Sequence, residues 1–363
     1  QLLNTSRKKN VLIYGRGESF YIELTSSLRY SESHRLVGIV DENSNNLNNS
    51  VHNTLICSPK YINQICSRYK VDEIWLCNNN FSKKEVKNIL QALSHLTSVK
   101  IQIMPSLTNM LSDRLIHNLR PITFEELLTR QEVEPQIDLI REGIKDKVVC
   151  VTGGGGSIGS ELCKELINFE AKKIIILERN EFNLYKIDQD LKRKYSHFAG
   201  NLIPILCDIG DSKLLNVIFL EHKIDILFHA AAYKHVPMLE NNPLIAIKNN
   251  ALLTKNLCEC VIKNKVCKMI LISTDKAVRP TSLMGATKRL SEMIIQSYSL
   301  RYGIQESKKI ETIKRFTKFS MVRFGNVLGS SGSVVPLFQE QIDSGGPITL
   351  THPDIIRYFM TIK

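Results

Sequence analysis

A strand-to-helix turn with three spaced glycines constrains this chain more than any other feature. Residues 147–152 (KVVCVT) form a short apolar run of the kind buried in a parallel sheet. The stretch GGGGSIG follows at 153–159, and a helical pattern continues from Ser160. Gly153, Gly156 and Gly159 keep the spacing GxxGxxG. The first glycine lets the chain turn tightly. The second lets backbone approach a pyrophosphate, and the third lets helix pack on strand. Ser157 and Ile158 lie where the helix opens, so its unpaired N–H groups face the phosphates. A second apolar run, 173–177 (KIIIL), ends on Glu178. A carboxylate there accepts hydrogen bonds from ribose hydroxyls and repels a 2′-phosphate, which favours NAD. Arg179 beside it can pair a 2′-phosphate, so NADP stays open.

More strand-like runs follow at regular intervals. Residues 202–206 lead to Asp208 and Ile209. Residues 224–228 lead to His229, Ala230 and Ala231, where small side chains admit a flat ligand. Residues 268–272 lead to Ser273, Thr274, Asp275 and Lys276. Strands alternating with helices predict an α/β fold with a doubly wound parallel sheet, binding ligands at the carboxyl ends of its strands. All these polar clusters fall at such ends.

A weaker βαβ start precedes this one. Residues 11–20 (VLIYGRGESF) run into a GxG turn, and 36–40 end on Asp41. Phe20 takes the third glycine position, so this half-fingerprint marks a Rossmann-like domain and leaves cofactor binding there open. Runs at 73–77 and 99–104 complete a domain over 8–106. Residues 107–146 read as a connector with a short helical stretch at 124–128. Residues 147–363 are expected to form a second domain, the one that binds NAD.

Composition narrows the function classes. The chain carries 48 Lys and Arg against 36 Asp and Glu, a net charge of +12. The basic residues are scattered and there is a single Trp, so nucleic-acid binding is not expected. Nine cysteines without a CxxC spacing read as buried thiols, with no metal site. No apolar stretch reaches 18 residues.

Met284 and Lys288 are i and i+4 on one helix face, after the Ser273–Lys276 cluster. In short-chain dehydrogenases this spacing belongs to Tyr-x-x-x-Lys. Here a thioether replaces the phenol, so any proton transfer needs another group. Five stretches carry a resemblance: TGGGGSIGSEL, AAYKHVPMLE, STDKAVRPTSLMGATKR, MVRFGNVLGSSGSVVPLF and GGPITLTHPDIIRYFMTI. The chain resembles the polysaccharide-biosynthesis UDP-N-acetylglucosamine 4,6-dehydratases. Within them it is similar to the long, membrane-anchored branch with Met in place of Tyr. Arg279 and Ser282 stand where that family usually has Asn.

The resemblance implies two Rossmann-like domains and a tightly held NAD. It implies a UDP-N-acetylhexosamine substrate converted to its 4-keto-6-deoxy form for capsule, O-antigen or other glycan synthesis. Lys276 would take the C5 proton, and Asp275 would protonate the departing C6 hydroxyl. A lysine base needs desolvation or a cationic neighbour to lose its proton near neutrality. Thr274 would bond near the 4-hydroxyl, Met284 would line the sugar, and Lys288 would hold the nicotinamide ribose. Lys234 and His235 would reach the substrate, and Arg323 and Asn326 its diphosphate and sugar. Taken singly, these residues also have plainer readings. Asp275 and Lys276 could form a surface ion pair, Met284 could pack in the core, His235 could be structural, and Arg323 could serve an ion pair.

The resemblance further implies a homo-oligomer at the cytoplasmic face of a bacterial inner membrane. Spanning helices would lie before Gln1, outside this chain, and more of the sugar-binding portion would follow Lys363. Two competing readings remain: a UDP-sugar 4-epimerase, and a nucleotide-binding protein without catalysis.

Overall fold

The computed structural model describes residues 7–16, 18–42, 50–77, 81–96, 98–104, 120–121, 133–302, 317–330, 332–350, 352, 354 and 356–362. The helical stretch expected at 124–128 lies outside them, as does Gly17. The chain divides into two compact units, Gln1–Glu132 and Val133–Lys363.

In the first unit, β1 (Lys9–Gly15), α1 (Glu18–Arg29), β2 (His34–Asp41), β3 (Ser50–Val51) and β4 (Thr54–Cys57) come first. Then follow α2 (Ile62–Tyr69), β5 (Glu73–Cys77), α3 (Lys83–Leu93), β6 (Lys100–Met104) and β7 (Arg120–Pro121). The sheet order is β3-β4-β2-β1-β5-β6-β7. Its five central strands are parallel, and β3 and β7 add antiparallel edges. The β7 edge extends the sheet into the stretch expected as connector. Alternation along β1 sends Leu12 and Tyr14 to one core and Val11 and Ile13 to the other. Helices α2 and α3 cover the first face, and α1 the second. Asp41, which ends β2, is fully buried and accepts a hydrogen bond from Tyr21 at 2.8 Å. Its carboxylate is held inside the fold by that bond.

The second unit begins with α4 (Ile137–Ile144) and β8 (Val148–Thr152), followed by α5 (Ser157–Asn168), β9 (Lys173–Glu178), α6 (Glu181–Lys194) and β10 (Leu202–Leu206). Next come α7 (Ser212–His222), β11 (Ile226–His229), α8 (Val236–Glu240), α9 (Pro243–Ile247), a π-helical turn (Lys248–Leu252) and α10 (Leu253–Lys263). It ends with β12 (Lys268–Thr274), α11 (Leu283–Tyr302), β13 (Lys318–Phe324), β14 (Asn326–Val327), α12 (Val334–Asp343) and β15 (Phe359–Met360). The main sheet is all parallel with order β10-β9-β8-β11-β12-β13. The order reverses between β8 and β11, which is where a doubly wound sheet opens its ligand crevice. Cys150, Ile175, Leu177 and Leu227 face α7, α10 and α11. Val149, Val151, Ile174 and Ile176 face α5 and α6. Both faces are covered, which is why these strands read as continuous apolar runs.

All nine cysteines are free, and seven are buried. Among the described residues no His, Cys, Asp and Glu cluster could hold a metal, and no helix is long and apolar enough to cross a membrane.

Candidate active site

The glycine turn leaves β8 at the crevice. Gly153 has φ +65°, a conformation that favours glycine, and a Cβ there would lie 2.7 Å from the Ala231 Cα. A Cβ on Gly159 would lie 2.2 Å from the Gly153 carbonyl oxygen. These two glycines therefore let the turn, α5 and the Ala230–Ala231 segment touch. Gly156 differs, because its Cβ would meet only the Gly153 oxygen, at 3.3 Å. It caps α5 without a side-chain hydrogen bond. The helix start, with Ser157 and Ile158 in its first turn, thus presents backbone N–H groups of the kind that cradle phosphate.

Glu178 is pre-oriented at the end of β9. Its Oε2 accepts from Gly155 N at 3.1 Å, and its Oε1 accepts from the N–H groups of Arg179 and Asn180, both at 3.0 Å. A carboxylate offers about four acceptor positions, so one remains for a ribose hydroxyl. Arg179 turns the other way. Its guanidinium carbon lies 4.4 Å from the Tyr233 ring centre, Nη2 donates to the Tyr233 hydroxyl, and Nη1 donates to Asn249 at 3.2 Å. Asp208 is exposed and accepts from Gly210 N at 2.7 Å, and Ile209 is buried beneath it.

A buried polar relay braces the far wall. Thr254 donates to the Asn250 carbonyl at 2.7 Å, so its oxygen accepts from His229 Nε2 at 3.1 Å. His229 Nδ1 is then the acceptor for Thr152, at 2.8 Å. The Thr152 oxygen accepts from Ala231 N at 3.3 Å, which fixes the alanine turn against the glycines. The side chain of Asn250 holds both the N–H and the carbonyl of Tyr233, at 2.9 and 3.1 Å.

The carboxyl end of β12 carries the cluster expected to react. Thr274 donates to Asp275 Oδ1 at 3.0 Å. Lys276 Nζ donates to the same oxygen at 3.2 Å and to Asn326 Oδ1 at 2.8 Å. Asn326 in turn donates through its N and Nδ2 to the Tyr358 carbonyl. Helix α11 abuts this turn because Gly285 lacks a side chain: a Cβ there would lie 2.3 Å from the Lys276 carbonyl oxygen. Met284, only 5% exposed, packs with Leu239 and Ala246, flanked by Tyr233 and Val236. Lys234 and His235 are exposed, with the Lys234 ammonium lowered by desolvation. The His235 ring sits against the Gly332 turn, where a Cβ would come 2.5 Å from its Cε1.

Lys288 is almost fully buried, and Nζ donates to the Ile272 carbonyl at 2.6 Å. Burial lowers its ammonium to about 8, against an opposing pull from Glu292. Arg323 does not open toward the crevice with its fork. Nε and Nη2 both bond Glu292, at 2.7 and 2.6 Å, and Ser273 and Arg289 complete that carboxylate's partners at 2.6 and 3.0 Å. The structure thus brings Thr274, Asp275, Lys276 and Asn326 together, and gives Arg323 a pairing within the fold.

Residues 149–363 match the family model described as "Polysaccharide biosynthesis protein". The chain belongs to this family. The capsular polysaccharide biosynthesis protein CapD of Staphylococcus aureus is 37% identical over 99% of this chain and 58% of its own length. A UDP-glucose 4-epimerase of Rickettsia massiliae is 35% identical over 60% of both chains. A UDP-N-acetylglucosamine 4,6-dehydratase (inverting) of Campylobacter jejuni is 34% identical, again over 60% of both. The chain therefore spans only 58% to 60% of the length of these relatives.

Two buried groups set an acid response in this chain. Burial, with a smaller push from Lys288, lowers His229 from an ordinary 6.5 to about 3, so the ring is neutral in the fold. The unfolded chain binds that proton more readily, and stability falls as pH drops from 6.5 toward 3. Burial would raise Glu292, but hydrogen bonds from Arg323, Ser273 and Arg289 outweigh it and hold the carboxyl at about 2. Its stabilisation is present above an ordinary 4.5 and is lost as pH falls toward 2. The melting temperature should therefore fall steadily below pH 6.5. His229→Gln should flatten the upper part of that slope, and Glu292→Gln the lower part. Identical slopes in wild type and His229→Gln would refute the assignment.

Proposed function

We propose that this chain is the catalytic part of an NAD-dependent 4,6-dehydratase acting on UDP-N-acetylglucosamine or a close UDP-N-acetylhexosamine. The observation that carries the reading is the Thr274–Asp275–Lys276–Asn326 cluster at the carboxyl end of the sheet that also bears the glycine turn, with buried Met284 where a phenol would stand. The glycine cradle, the last acceptor position of Glu178 and the buried Lys288 amine fit a dinucleotide. When bound, NAD accepts hydride from C4 of the sugar and returns it at C6.

The chain's own groups would move the protons. Lys276 and Asp275 stand as an ion pair at 3.2 Å. Lys276 would first release its proton to solvent, and the proton that leaves the 4-hydroxyl as C4 is oxidised would pass through Thr274 to Asp275, leaving a neutral amine and a carboxylic acid. The amine then takes the C5 proton, acidified by the 4-ketone, while the acid protonates the C6 hydroxyl, which leaves as water. The protonated amine finally returns a proton to C5. Thr274 would bond near the 4-hydroxyl, and Asn326 would orient the Lys276 amine. Lys234 and His235, exposed beyond the alanine turn, are proposed at the sugar side, and Asp208 and Ile209 at the adenine side. On this reading the product feeds surface polysaccharide synthesis at the cytoplasmic face of the membrane.

The second reading is a 4-epimerase, favoured by the relative of that name. It needs no departure of the C6 hydroxyl and normally a proton carrier at position 284. Incubation with UDP-N-acetylglucosamine in deuterated water separates the two. The dehydratase should place one deuterium at C5 and carry the C4 hydride to C6, both readable by NMR. A C4 epimer with its C6 hydroxyl intact would overturn the dehydratase reading.

A further inference from the structure

We propose that Tyr233 and Asn249 set the dinucleotide preference by holding Arg179 away from the ribose that Glu178 receives. This rests on the dinucleotide reading above and adds the residues that decide between NAD and NADP.

Glu178 and Arg179 make opposite demands on a dinucleotide. The carboxylate accepts ribose hydroxyls and repels a 2′-phosphate, whereas a free guanidinium beside it would bind that phosphate in a bidentate fork. The preference therefore depends on where Arg179 lies. Its position is set by a closed circuit of hydrogen bonds. Arg179 Nη2 reaches the Tyr233 hydroxyl, and Nη1 reaches Asn249 Oδ1. Asn249 Nδ2 donates to Asn250 Oδ1 at 3.1 Å, which orients its own oxygen toward Arg179. Asn250 binds the Tyr233 backbone on both sides, which closes the circuit. The Tyr233 ring adds a cation–π contact to the guanidinium at 4.4 Å.

The topology says what this circuit spans. Arg179 follows the last residue of β9, and Tyr233 follows β11, while β8 lies between those two strands. Strands sit about 4.8 Å apart, so the bridge covers roughly 10 Å across the mouth of the glycine turn. Its guanidinium is drawn toward the β11 side, and the Glu178 carboxylate is left as the charge at the ribose.

The test measures dissociation constants for NADH and NADPH on the 363-residue chain, with folding checked by circular dichroism. Wild type should prefer NADH. Tyr233→Leu removes both the ring and the hydroxyl, and should tighten NADPH by about tenfold while NADH stays within roughly threefold. Tyr233→Phe keeps the ring and should fall between. The double variant Arg179→Leu/Tyr233→Leu should lose the NADPH gain, since the gain belongs to the released guanidinium. If Tyr233→Leu does not fold, Asn249→Leu removes the second acceptor and carries the same expectation. A ratio unchanged by a folded tether variant, or a gain that survives loss of Arg179, would overturn the proposal. A wild type that prefers NADPH would also overturn it and leave the dinucleotide reading standing. A wild type that binds neither nucleotide would overturn that reading instead.

Discussion

Lys276→Ala should slow single-turnover formation of the 4-keto-6-deoxy sugar by about a hundred- to ten-thousand-fold, the usual contribution of a general base. The amine is held by Asp275 and Asn326, and methyl replacement leaves no group to take the C5 proton. Asp275→Asn should be similarly damaging, because an amide cannot pass a proton to the departing hydroxyl. The comparison that gives these values meaning is Met284→Leu. Met284 is buried against Leu239 and Ala246 and has no titratable proton. A volume-conserving swap there should cost no more than about tenfold, or about 1.4 kcal/mol of barrier. Thermal unfolding of each variant separates chemistry from folding. If Met284→Leu proved as inactive as Lys276→Ala, the thioether would have a specific role and the assignment of the base would fail.

Gly159→Ala should destabilise the second unit by about 3 kcal/mol or more, the upper range for overpacking. The added methyl would lie 2.2 Å from the Gly153 oxygen and 2.8 Å from the Gly154 Cα, and both are backbone atoms that cannot swing aside. Relief requires α5 to move off the sheet, and the phosphate cradle goes with it. Gly156→Val should behave in the opposite way. Its Cβ meets one oxygen at 3.3 Å and is otherwise unobstructed within the chain, so the fold should survive. The side chain would instead stand in the path of the pyrophosphate and abolish nucleotide retention. Calorimetry and nucleotide content of the purified variants check both. Retention of nucleotide by Gly156→Val would move the phosphates away from this turn.

The central strands were legible because they are buried on both faces and punctuated by turns, and the edge strand at 202–206 was legible from its apolar run although Leu206 is exposed. The apolar runs at 147–152, 173–177, 202–206 and 268–272 all became strands of one parallel sheet. The glycine spacing was legible for the same reason, since each glycine meets a close backbone approach or a helix start. What sequence could not show were partners brought together by packing. Glu292 gave no signal beyond standing four residues after Lys288, and nothing local paired it with Arg323, 31 residues away. Asn250 lies in a π-helical turn that no apolar period marks. Tyr233 was quoted within a motif, but its hold on Arg179 depends on strand order. One hint was available: Gly285 in the first turn of a helix costs stability, and such a glycine marks a close approach. Another lies at Arg279, whose φ of +46° is a conformation that Asn tolerates better than Arg, matching the family's usual residue there.

The link from Lys276 through Asn326 to Tyr358 also sets an order of events on the ribosome. The two glycine-bearing strands and their helices are complete early, and such units fold as they emerge. Asn326 acquires its second partner only when the chain has run 32 residues further and laid Tyr358 beside it. A nascent chain can thus close its phosphate cradle well before its amine is steadied. On the proposed reading the Lys276 amine is therefore steadied last, once β15 has paired with β14.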